Sequence, residues 1–389
     1  LIFRNPFVGF SARIFENLSS MTPSANPENR FIAERIGKVP VSGLHRFFGI
    51  AASMPDVISL GVGEPDFPTP APIAKAGFDA VYERSIGYTA NAGLIELREM
   101  LAAHLQTHYK VVYEPKDEIL ITVGVSEALK CVFSAICNDG DEIIVPQPCF
   151  VAYEPEIIFA GGVPVPVICR PENDFEPAPE DIRAAVTEKT KAIFIGFPNN
   201  PTGAVLGHET ALEIARIAEE RDLLVISDEI YDRLVYGARH VCFPALPAMK
   251  ERTVLLTAAF SKIHQYAVMS APTISQYAAL AALEIGEPFV RQMHDEYARR
   301  RDLVVALLDE MNLECVRPKG AFYAFPSVQK TGLTGDEFAE RLLMEKRVAV
   351  VPGSSFGKGG ENHIRIAYCK SIEEIEEALK RMKDFIEEL

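Results

Sequence analysis

The sequence predicts an α/β protein, with a mostly parallel central sheet flanked by helices and then a smaller α+β domain. Three observations predict it. Short, nearly continuous Val/Ile/Leu runs alternate with helix-period stretches through the middle of the chain, the pattern of strands covered on both faces. Near residue 285 this alternation gives way to one long charged helix, short strands and a final helix. A length of 389 residues, 48% hydrophobic, is enough for one large core or two unequal ones, and two unequal domains are expected.

Taken in order, "DEILITVG" (117–124) reads as the first strand of the large domain. It precedes "SEALKCVFSAI", whose Ala128, Leu129, Val132, Phe133 and Ile136 share one helical face. "DEIIVPQP", "VPVPVI", "KAIFIGFP", "DLLVISD" and "RTVLLTA" follow as strands, with the amphipathic helix "HETALEIARIAEER" and a loop around Tyr231 between the last three. The smaller domain is expected as "EPFVRQMHDEYARRRDLVVALLDEMN", a long helix, then strands around "GAFYAFP" and "HIRIAYC", and the helix "SIEEIEEALKRMKDFIEEL". The expected divisions are an arm over 1–27, an N-terminal part of the small domain over 28–60, a large domain over 61–285 and the rest of the small domain over 286–389. No repeat or low-complexity linker separates them, so tight docking is expected. Residues 1–20 carry two arginines, one acid and many apolar groups; they read either as a targeting presequence or, the preferred reading, as an upstream extension or loose arm with Met21 as the natural start.

Composition narrows the function classes. The formal charge of −15 is spread along the chain, which argues against nucleic acid as a partner, and the arm is too short for a helix-turn-helix domain. Seven cysteines with no CxxC pair fit a reducing, cytoplasmic compartment and offer no metal framework. No apolar run reaches membrane-spanning length.

In a parallel sheet, ligands bind beyond the carboxyl ends of the strands. Five such junctions carry unusual residues. Gly124-Val125-Ser126 opens a helix, where free N–H groups and a hydroxyl suit a phosphate or simply a cap. Phe150 is either an aromatic plate or core. "FPNNPTG" fixes Asn200 after a buried strand, or is a turn and nothing more. Asp228 ends a run of four apolar residues, with Tyr231 three further on, and is either a helix cap or the partner of a protonated heterocycle. Lys262 follows Ser261; a lysine in a low-dielectric, positively biased pocket becomes a nucleophile, whereas a solvated one does not. Taken singly, each has its ordinary reading. All five fall at one edge of one sheet, and coincidence becomes the weaker account.

With these motifs in place, the chain resembles the fold-type I, class I/II aminotransferases dependent on pyridoxal 5′-phosphate, from about residue 30 to the C-terminus. The resemblance rests on "SLGVGEPDFPTP", "GYTANAGLIELREML", "NNPTG", "SDEIYDRLVY", "FSK", "KGAFYAFP" and "VVPGSSFG…HIRIAYC". It implies that Lys262 is the amine joined to the cofactor and, once displaced, the base that moves the substrate's Cα proton. It implies that Asp228 keeps the ring nitrogen protonated, that Tyr231 and Asn200 bond the ring's phenolic oxygen, and that Phe150 stacks on the ring. Val125, Ser126 and Ser261 would bind the phosphate, and Tyr88 would reach the phosphate of a neighbouring subunit, implying a homodimer with shared sites. Arg365 would grip the substrate α-carboxylate through its fork, and Gly63 would let the backbone approach the substrate. An amino acid and a 2-oxo acid are the implied substrates. A lyase of the same fold, or a homologue without catalysis, is the alternative.

One departure stands out. The family has a segment of the type AMTGWRxGY and a helix after the catalytic lysine, but here "FSK" runs straight into "IHQYAVMSAPT". A strand, its connection and a helix, on the order of twenty residues, are therefore expected to be missing. The total lack of tryptophan agrees. The family has a lysine on both sides of this gap, and the flanking "AAFS" favours Lys262 as the catalytic one. The expected consequences are loss of a phosphate-pairing arginine and a sheet short of one strand.

Overall fold

The computed structural model describes residues 33–39, 54–84, 86–256 and 269–389. The expected arm (1–27), Ser261 and Lys262 lie outside the described residues. The strands are β1 (Ile58–Ser59), β2 (Glu142–Gln147), β3 (Val163–Ile168), β4 (Thr190–Gly196), β5 (Leu224–Asp228), β6 (Thr253–Leu255), β7 (Tyr323–Ala324), β8 (Val348–Ala349), β9 (Val351–Pro352) and β10 (Ile364–Ala367). The helices are α1 (Ala71–Glu83), α2 (Ile95–Tyr109), α3 (Gly124–Ile136), α4 (Tyr153–Phe159), α5 (Pro179–Ala185), α6 (His208–Glu220), α7 (Thr273–Ile285), α8 (Glu287–Glu310), α9 (Gly335–Lys346) and α10 (Ile372–Glu387).

Five strands form one parallel sheet in the order β3-β2-β4-β5-β6. Successive side chains on a strand point to opposite faces, and here both faces are covered, which explains the unbroken Val/Ile runs. Ile144, Ile193, Ile195 and Val225 pack with Ile214 and Ile217 of α6. Ile143, Val145, Phe194 and Ile226 pack with Leu129, Val132 and Phe133 of α3 on the other side.

The expected strand over 117–124 is not formed. Ile119 and Leu120 are buried, and Ile119 packs with Leu105, Val111 and Leu255. Yet the segment pairs with no strand among the described residues, and Gly124 already belongs to α3. Apolar content places these side chains inside, but a strand also needs a neighbour for its backbone. Among the described residues the sheet ends at β6.

The C-terminal helices α8, α9 and α10 enclose a second core with β1, β7, β8 and β10, in which Leu60, Tyr297, Phe338, Leu379 and Phe385 are buried together. Chain ends of this unit meet in the small sheets: β1 pairs parallel with β8, and β10 lies between β7 and β9 in antiparallel pairing. Capping boxes at Thr334/Glu337 and Ser371/Glu374 start α9 and α10. Phe338 and Phe385 meet edge to face at 5.3 Å. Phe338→Ala is expected to destabilise the protein by about 3–5 kcal/mol in chemical denaturation, since a rigid core relaxes only partly around a lost ring.

Candidate active site

β4 and β5 end side by side, with Gly196 opposite Asp228. Asp228 is buried; its Oδ2 accepts from the Tyr153 hydroxyl at 2.8 Å and its Oδ1 from the Ile230 N–H at 3.3 Å. A Cβ on Gly196 would stand 2.8 Å from that hydroxyl, so glycine is what lets Tyr153 reach the carboxylate. Burial pushes the Asp228 carboxyl up to about 6, with the two hydrogen bonds opposing and Glu229 reinforcing the shift. Among the described residues no Lys, Arg or His forms an ion pair with it. A buried carboxylate held only by neutral donors is a receptor for a cation.

The adjacent acid is committed elsewhere. Glu229 accepts from the Ser227 hydroxyl at 2.8 Å and the Phe243 N–H at 2.9 Å, and its other oxygen lies 2.6 Å from His240 Nε2. Asp228 is thereby left as the carboxylate free to serve the strand end.

The "NNPTG" turn divides labour between its asparagines. Asn199 closes the turn: its Oδ1 accepts from Thr202 N and Oγ1 at 3.2 and 2.8 Å, and its Nδ2 donates to Gly196 O at 3.2 Å. Gly203, at φ +69°, sits where a Cβ would be 2.6 Å from Pro318, so the turn admits only glycine there. Asn200 instead accepts from Arg365 Nη1 at 2.8 Å. Arginine only donates, so Oδ1 must face it and the Asn200 Nδ2 is left to donate to another group.

Arg365 is 4% exposed, not the surface residue that an alternating strand allows. Its Nη2 donates to Gly61 O at 2.5 Å, and its guanidinium lies 4.6 Å from the Tyr323 ring and 4.8 Å from the Phe356 ring. Its buried Nε has no partner among the described residues, and no Asp or Glu there pairs with it. Desolvation lowers its pKa from the ordinary value. Tyr231 joins this group through its hydroxyl, 3.1 Å from that of Tyr323, and burial raises its pKa above the ordinary range.

Other expected residues stand at varying distance from this cluster. Gly124, Val125 and Ser126 form the first turn of α3, where Val123 supplies no side-chain cap; first-turn amides have no partner within the helix. Phe150 packs edge to face on Tyr153 at 5.6 Å. Tyr88 is 79% exposed and is not brought to the cluster. Gly63 faces the Tyr323 hydroxyl, 2.1 Å from where its Cβ would be. Sequence reasoning missed Tyr153, Asn199 and Tyr323. Tyr153 lies one helical turn beyond Phe150, and Tyr323 is next to Phe322 in "GAFYAFP"; spacing was the only signal either carried. Among the described residues no cluster of His, Cys, Asp and Glu is arranged to hold a metal ion.

A parallel sheet bearing these groups at its carboxyl edge, with a second α+β unit closing over it, is the architecture of fold-type I enzymes. The family described as aminotransferase class I and II matches the chain in two pieces, residues 55–267 and 263–382. An aspartate aminotransferase of Pyrococcus abyssi is 42% identical over 384 residues, covering 92% of this chain and 98% of the relative. An aromatic-amino-acid aminotransferase of Thermococcus litoralis is 38% identical over 384 residues, at 92% and 98% coverage. The crystal structure of an aromatic aminotransferase from Pyrococcus horikoshii superposes with a TM-score of 0.84 at 41% identity, covering 89% of this chain and 99% of that one. This chain belongs to the class I and II aminotransferases. It is an enzyme of amino-group transfer, and neither the lyase nor the non-catalytic alternative is favoured.

Proposed function

We propose that the protein is a cytoplasmic, homodimeric aminotransferase that uses pyridoxal 5′-phosphate to move an amino group between an L-amino acid and a 2-oxo acid. Aspartate-like or aromatic donors are the substrates its relatives point to. The observation that carries the reading is Arg365: a buried guanidinium, an unpartnered Nε and no carboxylate beside it among the described residues. A cation so placed needs an anion from outside, and the α-carboxylate common to both substrates has the matching fork.

The residues present fit the cofactor. Asp228 is a buried acid awaiting a cation, which a protonated pyridine nitrogen supplies, and the Asn200 Nδ2 and Tyr231 hydroxyl are donors for the phenolic oxygen. Bound pyridoxal phosphate supplies a ring that accepts electron density from the substrate Cα. Asp228 would hold the proton on the ring nitrogen, Phe150 would cover one ring face, and Arg365 would orient the substrate. Val125, Ser126 and Ser261 hold the phosphate, with Tyr88 reaching across from a second copy. Lys262 would be the amine that holds the cofactor and the base for the substrate's Cα proton.

Support for the second copy is three exposed aromatic side chains near one another in sequence: Phe78, Tyr82 and Tyr88 are 68, 90 and 79% exposed. The compartment is supported by seven free thiols. Among the described residues, no helix is long and apolar enough to cross a membrane. The division of the chain near residues 60 and 285 is supported by pairing of β1 with β8 and by the separate C-terminal core. The missing segment after Lys262 is supported by the family match, whose two pieces meet at 263–267, and by an alignment of 384 residues that draws on 92% of a 389-residue chain.

The test is the visible spectrum of purified protein with pyridoxal phosphate, before and after borohydride, repeated on Lys262→Ala. Absorbance that reduction traps in the unmutated protein alone is the expected result. A protein that stays colourless with added cofactor refutes the reading.

A further inference from the structure

The geometry points to Tyr323 as a positioning residue that sets the direction of the Tyr231 hydrogen bond, a role that rests on the reading above. Tyr323 lies on β7, 2% exposed, with its ring 4.6 Å from the Arg365 guanidinium and its hydroxyl 3.1 Å from that of Tyr231. The two rings meet nearly perpendicular, 84° apart, with centroids at 6.0 Å. One side chain thus touches both the carboxylate-binding group and the group assigned to the phenolic oxygen.

Its position leaves little freedom. A Cβ on Gly63 would lie 2.1 Å from the hydroxyl and 2.6 and 2.7 Å from two ring carbons, so the Gly63 backbone closes the space beyond the ring. The reason for a glycine here is therefore the tyrosine.

Each hydroxyl has a single proton. If Tyr231 gives its proton to the phenolic oxygen, it can only accept from Tyr323, and the chain runs Tyr323 to Tyr231 to the ring. Accepting a bond makes a hydroxyl a stronger donor. The charged and titratable neighbours act on this pair together. Burial raises both hydroxyls; Tyr323 and then Asp228 add to the rise at Tyr231, while the Arg365 guanidinium lowers both, Tyr231 lowers Tyr323 and Cys369 raises it.

The test titrates the visible absorbance of the cofactor-loaded protein against pH for the unmutated chain, Tyr323→Phe, Tyr231→Phe and the double variant. A donor to the phenolic oxygen favours its anionic form, so weakening that donor moves the midpoint upward. Tyr323→Phe is expected to raise it by about half a pH unit and to have no effect in the Tyr231→Phe background, because the two act in series. Affinity for an α-carboxylate lacking an amino group should change less than about twofold in Tyr323→Phe, since the ring remains under Arg365. An unchanged midpoint in loaded Tyr323→Phe, or the same shift surviving in the Tyr231→Phe background, overturns the proposal alone. An unmutated protein that takes up no cofactor overturns the proposed function and this role with it.

Discussion

Asp228→Asn is expected to yield a cofactor-free protein more stable than the unmutated one near pH 8, with amino transfer slowed by about 10²-fold or more. Burial is the main cause of the raised Asp228 pKa, about 6. The sign follows from linkage. The folded pKa lies above the unfolded one, so the folded state binds the proton more tightly. The contribution of Asp228 to stability is complete below about pH 4 and is lost as pH rises through about 6. Above that, an ionised carboxylate sits in the core beside two neutral donors, the Tyr153 hydroxyl and Ile230 N–H. Asparagine removes the charge but can accept only one of the two bonds, so the net gain should be about 1–2 kcal/mol by urea denaturation. Adding pyridoxal phosphate should reverse the order, because only the unmutated chain gains a buried ion pair. An Asn variant that is less stable without cofactor, or that retains cofactor as well as the parent, would contradict this account of the strand end.

Arg365→Ala is expected to lower kcat/KM by about 150- to 5,000-fold, equivalent to the 3–5 kcal/mol typical of breaking a buried, hydrogen-bonded ion pair. Most of the loss should appear in KM, since the guanidinium grips a carboxylate that does not itself react. A smaller part should appear in kcat, because Asn200 loses the bond from Nη1 that orients its amide. Arg365→Lys should rescue little: a point charge offers no fork and cannot serve Asn200, Gly61 and a ligand together. Steady-state kinetics with several amino donors decides it, and an Ala variant with unchanged KM would remove Arg365 from substrate binding.

The parts of the fold legible in the sequence are those whose burial is uniform. β2, β4 and β5 are buried along nearly their whole length, so their runs of Val and Ile mark their extent almost to the residue. Residues 117–124 have the same composition and form no strand, because composition specifies burial and not a ladder partner. A similar divide runs through the site. Asp228 and Asn200 were legible because a polar group directly after a buried strand needs a reason, whereas Arg365, which reads by itself as a surface arginine on an alternating strand, was legible only through the resemblance. Tyr153 and Tyr323 were not, since each acts through a contact across the fold: a carboxylate 75 positions away for Tyr153, a hydroxyl 92 positions away for Tyr323. Asn199 is hidden by its neighbour, as nothing in "NN" says which amide closes the turn.

The anchorage of Glu229 reaches further than its own packing. Its carboxylate is tied to His240 and Phe243, 11 and 14 residues further along the chain. Surface changes in that segment would therefore tilt the peptide plane carrying Asp228, giving remote residues mechanical leverage over the reaction centre without touching a ligand.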